Sequence, residues 1–120
     1  IKLWLENGEP REKIFEVSWA GDRRLGADGR LPAIGSTVDL KTASYRNTIG
    51  AVRLTGEWTD PEFDPAVPAI YYARVLEIPT PRWSTYLAVE NGIALSREVP
   101  ATLQERAWTS PIYYLPKSGW

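Results

Sequence analysis

The 120-residue chain contains no histidine, no cysteine and no methionine. Without the first two it lacks the commonest general base, the commonest zinc ligands and every thiol nucleophile. Histidine or cysteine catalysis is therefore excluded. The lack of cysteine leaves the redox compartment open, because cytosolic and exported domains alike can do without it. Positive charge is not in excess, since 14 basic residues stand against 15 acidic ones for a formal net charge of -1. Nothing is available to neutralise a phosphate backbone, so no nucleic-acid partner is expected. No apolar run approaches the roughly 18 residues that a membrane helix needs, so no membrane span is expected. The missing methionine, and an opening segment Ile1-Lys2-Leu3-Trp4 that already reads as strand, fit a piece cut from a longer protein.

What is present describes a folded domain. Hydrophobic residues make up 43% and charged residues 24% of the chain, both near the globular average, and the length suits one core. Residues 1–120 are expected to form one domain. Ten prolines and nine glycines separate short segments rich in valine, isoleucine, threonine and aromatic residues, which is an all-β pattern. Ile1 to Glu6 alternates, Asn7-Gly8 signals a tight turn, and Lys13 to Ala20 alternates again, so a hairpin is expected. Thr37 to Leu40, Ala51 to Trp58, Ile70 to Ile78, Leu103 to Trp108 and Ile112 to Leu115 also read as strand. Between them, Thr59 to Pro68 is a corner held open by three prolines. Trp83 to Glu90 has helical spacing and stops at Asn91-Gly92. The expected fold is a fibronectin-III-like or immunoglobulin-like β-sandwich of six or seven strands with one short helix.

Three runs in this chain resemble the C-terminal end of the domain-of-unknown-function 3604 family. They are Trp58 to Pro65, Tyr71-Tyr72-Ala73-Arg74-Val75-Leu76-Glu77-Ile78-Pro79-Thr80-Pro81-Arg82-Trp83, and Gln104 to Ile112. Glu12 to Arg23 and Leu40 to Tyr45 extend the resemblance over most of the length. The resemblance implies a bacterial protein, often exported to the periplasm or beyond, whose preceding part looks like a metal-dependent hydrolase of the polymerase and histidinol phosphatase superfamily. It further implies that the metal-binding histidines lie upstream of Ile1. This chain would then be a non-catalytic accessory domain with no cofactor of its own, monomeric when isolated, and partnered by the catalytic domain of the same polypeptide.

Particular residues fit that expectation in two ways each. Tyr71, just after the proline corner, is placed like the structural tyrosine corner of sandwich domains, its hydroxyl satisfying a backbone group; a plain buried tyrosine is the alternative. Tyr72, Arg74, Leu76 and Ile78 alternate on the other face, mainly apolar where a sandwich strand should be polar. Either the segment after Pro81 covers that face, or the absent catalytic domain packs there. Arg82 and Trp83, on a stiff Pro-Thr-Pro-Arg-Trp loop, are candidates to border a substrate entrance and meet an anion. Glu77, Arg82, Glu105 and Arg106 could share acid and base work, but cross-strand ion pairs are the commoner use of such residues. Asp60, Glu62 and Asp64 alternate as calcium ligands do, and Asp22 through Gly29 invites the same thought. Neither segment meets the loop pattern that ion demands, and ordinary turn chemistry is the commoner use of such residues. Six tryptophans raise a rival reading, a free-standing ligand- or carbohydrate-binding sandwich, with Trp4, Trp83 and Trp120 the candidate exposed rings.

Overall fold

The computed structural model describes residues 1–117. Six strands and a helix follow in the order β1 (Lys2–Glu6), β2 (Glu9–Lys13), β3 (Ala69–Tyr71), β4 (Arg74–Pro81), α1 (Trp83–Glu90), β5 (Thr102–Trp108) and β6 (Ile112–Tyr114). One sheet has the order β2-β1-β3-β6 and the other pairs β4 with β5. The expected class holds: two antiparallel sheets and one short helix make an all-β, sandwich-like fold. The chain divides into two compact units, Ile1–Val17 with Thr55–Val75 and the chain from Ala107, and Ser18–Leu54 with Leu76–Arg106.

The first unit is built on the four-stranded sheet. Asn7 and Gly8 take positive φ values of 55° and 84°, the geometry a two-residue hairpin turn requires, and Asn-Gly tolerates it best. So short a turn returns the chain at once, pairing Glu6 with Glu9 and Lys2 with Lys13. The second hairpin strand is therefore Glu9–Lys13, not the expected Lys13 to Ala20. Phe15, which belonged to that expected strand, packs instead on Trp58 with ring centroids 4.7 Å apart. On the other side of β1, Lys2 pairs with Tyr71 and Trp4 with Ala69, and β3 pairs in turn with β6. The expected strand from Ile70 to Ile78 is interrupted at Tyr72-Ala73 because the chain changes partners there. Tyr72 exchanges backbone bonds with Ile1, whereas Ala73 takes both of its bonds from Thr109, backbone N–H to carbonyl and N–H to hydroxyl, each 3.0 Å.

The proline corner lies against the Lys2 and Trp4 face of this sheet. Phe63 meets Tyr114 edge-on at 4.8 Å, and the Tyr114 hydroxyl donates to the Pro65 carbonyl at 2.9 Å.

In the second unit β4 runs on through Pro79 and Pro81, where the sequence predicts a stop. A strand of a two-stranded sheet has one free side, and a proline facing that side forfeits no ladder bond. Thr37 to Leu40 and Ala51 to Trp58 form no strand. Near the first, only an isolated bridge joins Asp39 to Ser44; alternation alone does not make a strand when no neighbour supplies a ladder. Helix α1 has the predicted bounds. Asn91 closes it through its side-chain amide on the Leu87 carbonyl (2.8 Å), Gly92 takes φ 64°, and Ile93 N–H returns to the Ala88 carbonyl, as helix C-termini with a left-handed residue do. The buried apolar residues of the described chain are all small: Ala20, Ala43, Ala69, Pro81 and Ala88.

Candidate functional site

Among the described residues one ionic cluster is buried, under the proline corner of the first unit. Lys2 Nζ lies 2.6 Å from Asp60 Oδ2, with the two side chains 7% and 6% exposed. The same ammonium donates to the Glu62 carbonyl at 2.7 Å and sits 5.2 Å from the centre of the Trp4 ring. Tyr71 donates its hydroxyl to Asp60 Oδ2 at 2.7 Å. The other carboxylate oxygen, Oδ1, accepts the Glu62 backbone N–H at 2.9 Å. Burial by itself would raise the Asp60 pKa, but the bonds from Lys2, Tyr71 and Glu62 outweigh it and hold the carboxyl below its usual value. Burial first, and then the bond to the Asp60 anion, push the Tyr71 phenol up to about 12.

Tyr71 thus reaches back to the corner it follows, as a tyrosine corner would, but its acceptor is a carboxylate and not a backbone group. The cluster is a latch. Every group in it is partnered, and Asp60 has no free oxygen with which to take a proton from a substrate. Sequence reasoning weighed Asp60 only as turn former or ion ligand and never singled out Lys2. The signal available was a lone lysine between Ile1 and Leu3, out of phase with the apolar residues of β1.

Above the latch lies an open groove of about 410 Å³, lined among others by Lys2, Trp4, Glu6, Asn7, Glu62 and Asp64. Its charges are largely matched already. Glu6 pairs with Arg11, Glu62 with Lys13, and Asp64 accepts the Ala66 N–H at 2.8 Å within its own turn. Asp60, Glu62 and Asp64 are therefore spent on turn bonds and ion pairs, and among the described residues no three acidic side chains gather to hold a metal.

The sequence-predicted residues scatter. Tyr72 and Arg74 belong to the first unit, Leu76 and Ile78 to the second, so the four do not make one face of one unit. Tyr72 precedes β4, which begins at Arg74. Leu76 is 47% exposed, while Ile78 is half-buried. Arg82 precedes α1 and is tied by Nε to the Pro100 carbonyl at 3.0 Å; Trp83 beside it is 68% exposed. Glu77, Glu105 and Arg106 are exposed and, with Arg82, make no ion pair among the described residues, so the cross-strand pairing expected of them is not formed. Solvated charges gain little from pairing. Trp4 is half-buried in the groove wall, and Trp120 lies outside the described residues.

A family model described as "Protein of unknown function (DUF3604)" matches residues 1–116. No curated protein and no solved structure matches the chain.

Proposed function

Since the chain belongs to the DUF3604 family of proteins of unknown function, we propose that it is a non-catalytic accessory element that docks on a metal-dependent hydrolase domain of the same polypeptide. One observation carries this reading. The chain exposes 9768 Å², whereas a compact monomer of its mass exposes about 6,500 Å². Even two half-sized globules with no shared contact would expose only about 7,900 Å². The surplus includes large apolar side chains, Leu76 and Trp83 among them, of the kind that mark a contact surface. The chemistry agrees: no histidine or cysteine is present, and the ionic cluster buried among the described residues is internally satisfied. In this reading the metal is held upstream, Leu76 and its neighbours on β4 meet the catalytic domain, and the Arg82-Trp83 loop borders the substrate entrance.

The test is the parent polypeptide. Arg82→Ala should lower turnover of a phosphate or sulfate ester while leaving the metal content unchanged, and the isolated chain should hydrolyse nothing. Metal-dependent hydrolysis by residues 1–120 alone would end the proposal.

The groove favours a second reading, a carbohydrate-binding module. It has the volume of a ligand site and combines one tryptophan with carboxylates whose charge is mostly matched, which suits a neutral, hydroxyl-rich ligand. Titration with neutral oligosaccharides should then shift tryptophan fluorescence, and Trp4→Ala should abolish the shift; a flat titration rejects this reading.

A further inference from the structure

Helix α1 is packed inside out. Its buried residues are Thr85 and Ala88, held by a 2.6 Å bond from the Thr85 hydroxyl to the Ala101 carbonyl. Its large residues turn away from the unit: Trp83 is 68%, Tyr86 41% and Leu87 46% exposed. These three lie at i, i+3 and i+4 on one stripe, and Glu90 at i+7 continues it. Ala88 and the half-buried Val89 are the apolar residues it turns inward, while tryptophan, tyrosine and leucine on the stripe stay open to water without a partner of their own size.

The charges at its ends are also reversed. Arg82 stands at the N-terminus and Glu90 closes the C-terminus, with no acid in the first turn and no base in the last. Each charge thus faces the like-signed end of the helix dipole. Within one helix this arrangement is unfavourable, but between two antiparallel helices it is complementary. The nine residues from Arg82 to Glu90 rise about 12 Å, and Tyr86 is their midpoint. A two-fold axis through Tyr86 brings Arg82 of one copy to Glu90 of the other, opposes the dipoles, and lays Trp83, Tyr86 and Leu87 of each copy across the other's stripe. Such a contact is self-complementary, as a two-fold interface must be.

We propose that α1 is a homodimerisation helix, pairing antiparallel with α1 of a second copy through Trp83, Tyr86 and Leu87 and closed at each end by an Arg82–Glu90 ion pair. Pairing would take the exposed tryptophan, tyrosine and leucine surface of the stripe out of water on both copies at once. A dimer would occupy Arg82 and Trp83, so the proposal competes with the reading in which that loop borders a substrate entrance, and self-association of this chain alone tells the two apart.

Sedimentation equilibrium of the full 120-residue chain tests it. A concentration-dependent dimer is expected. Leu87→Glu, on the exposed stripe, should weaken it at least about 100-fold with the circular dichroism unchanged. Arg82→Glu and Glu90→Arg should each weaken it roughly tenfold by creating like-charge contacts, and the double variant should restore affinity to near the parent value. Should Arg82→Glu lose its fold with the Pro100 bond, Glu90→Arg and Glu90→Gln keep the test open, the reversal costing more than the neutral change. A chain that stays monomeric at about 100 μM, a dimer indifferent to Leu87→Glu, or charge reversals that fail to compensate would each overturn the proposal. So would a stripe occupied by a different protein while the chain itself remains monomeric.

Discussion

Lys2 shows how one side chain organises a region with no large buried core residue. Its ammonium and the Asp60 carboxylate are almost wholly removed from water, so each is tolerable only because the other is there. Lys2→Met should therefore cost about 3 kcal/mol or more in urea unfolding, since it leaves a buried carboxylate without its cation. Tyr71→Phe removes one bond to a carboxylate that keeps its cation, and should cost about 1–2 kcal/mol. If the order were reversed, the lysine would not be the centre of the latch. The same cluster sets the pH dependence at both extremes. The folded-state pKa of Asp60 is depressed, so its contribution is complete above the unfolded value near 3.8 and is lost as pH falls through the folded value. Tyr71 is shifted the other way, from 10.0 to about 12. Its contribution is complete below 10.0 and is lost as pH rises towards about 12, because there the unfolded chain gives up a proton that the folded chain keeps. Tyr71→Phe should abolish the alkaline loss, which a pH series of thermal melts reads directly.

At the scale of elements, what was legible in the sequence is what depends on neighbouring residues. The Asn7-Gly8 turn, α1 with its Asn91-Gly92 stop, and the strands near Leu103 and Ile112 are local patterns, and all stand where the sequence puts them. What was illegible depends on remote partners. The break at Tyr72-Ala73 exists because Ile1 and Thr109 capture consecutive residues, and nothing around Tyr72 encodes that. Val52 and Leu54 alternate as in a strand yet remain exposed, because pairing is decided elsewhere. The latch was half legible: the corner and Tyr71 were visible, but Lys2, 58 positions before Asp60, was not.

Gly50 is a similar long-range constraint. It takes φ 81°, and a Cβ there would lie 2.7 Å from Ile78 Cγ2. Gly35 has a similar φ of 86° with open space around it. Gly35→Ala should cost about 1 kcal/mol in backbone strain alone. Gly50→Ala should cost about 2–3 kcal/mol because the methyl clash with a β-branched side chain is added. Equal losses for the two would mean that Ile78 yields freely.

For the molecule as a whole, the decisive quantity is how little surface folding removes. An unfolded chain of 13.5 kDa exposes about 19,600 Å², so the 9768 Å² left exposed means that only about half is buried, against about two thirds for a compact domain of this length. Most single changes at exposed apolar positions should then be mild, since the side chain has little contact to lose. Leu76→Lys should change the unfolding free energy of the isolated chain by less than about 1 kcal/mol, and a loss of several kcal/mol would show that Leu76 is already covered within this chain. The denaturant m-value and the heat-capacity increment scale with the surface exposed on unfolding. Both should therefore be about three quarters of those of an ordinary globular chain of this length when the protein is dilute. They should rise towards the ordinary value when the apolar surface is occupied, whether by a second copy or by an adjoining domain, because the partner covers what the chain itself leaves wet. An m-value already at the ordinary level in dilute, monomeric chain would mean that the exposed leucines and tryptophans are buried in solution, and that no partner is needed to cover them.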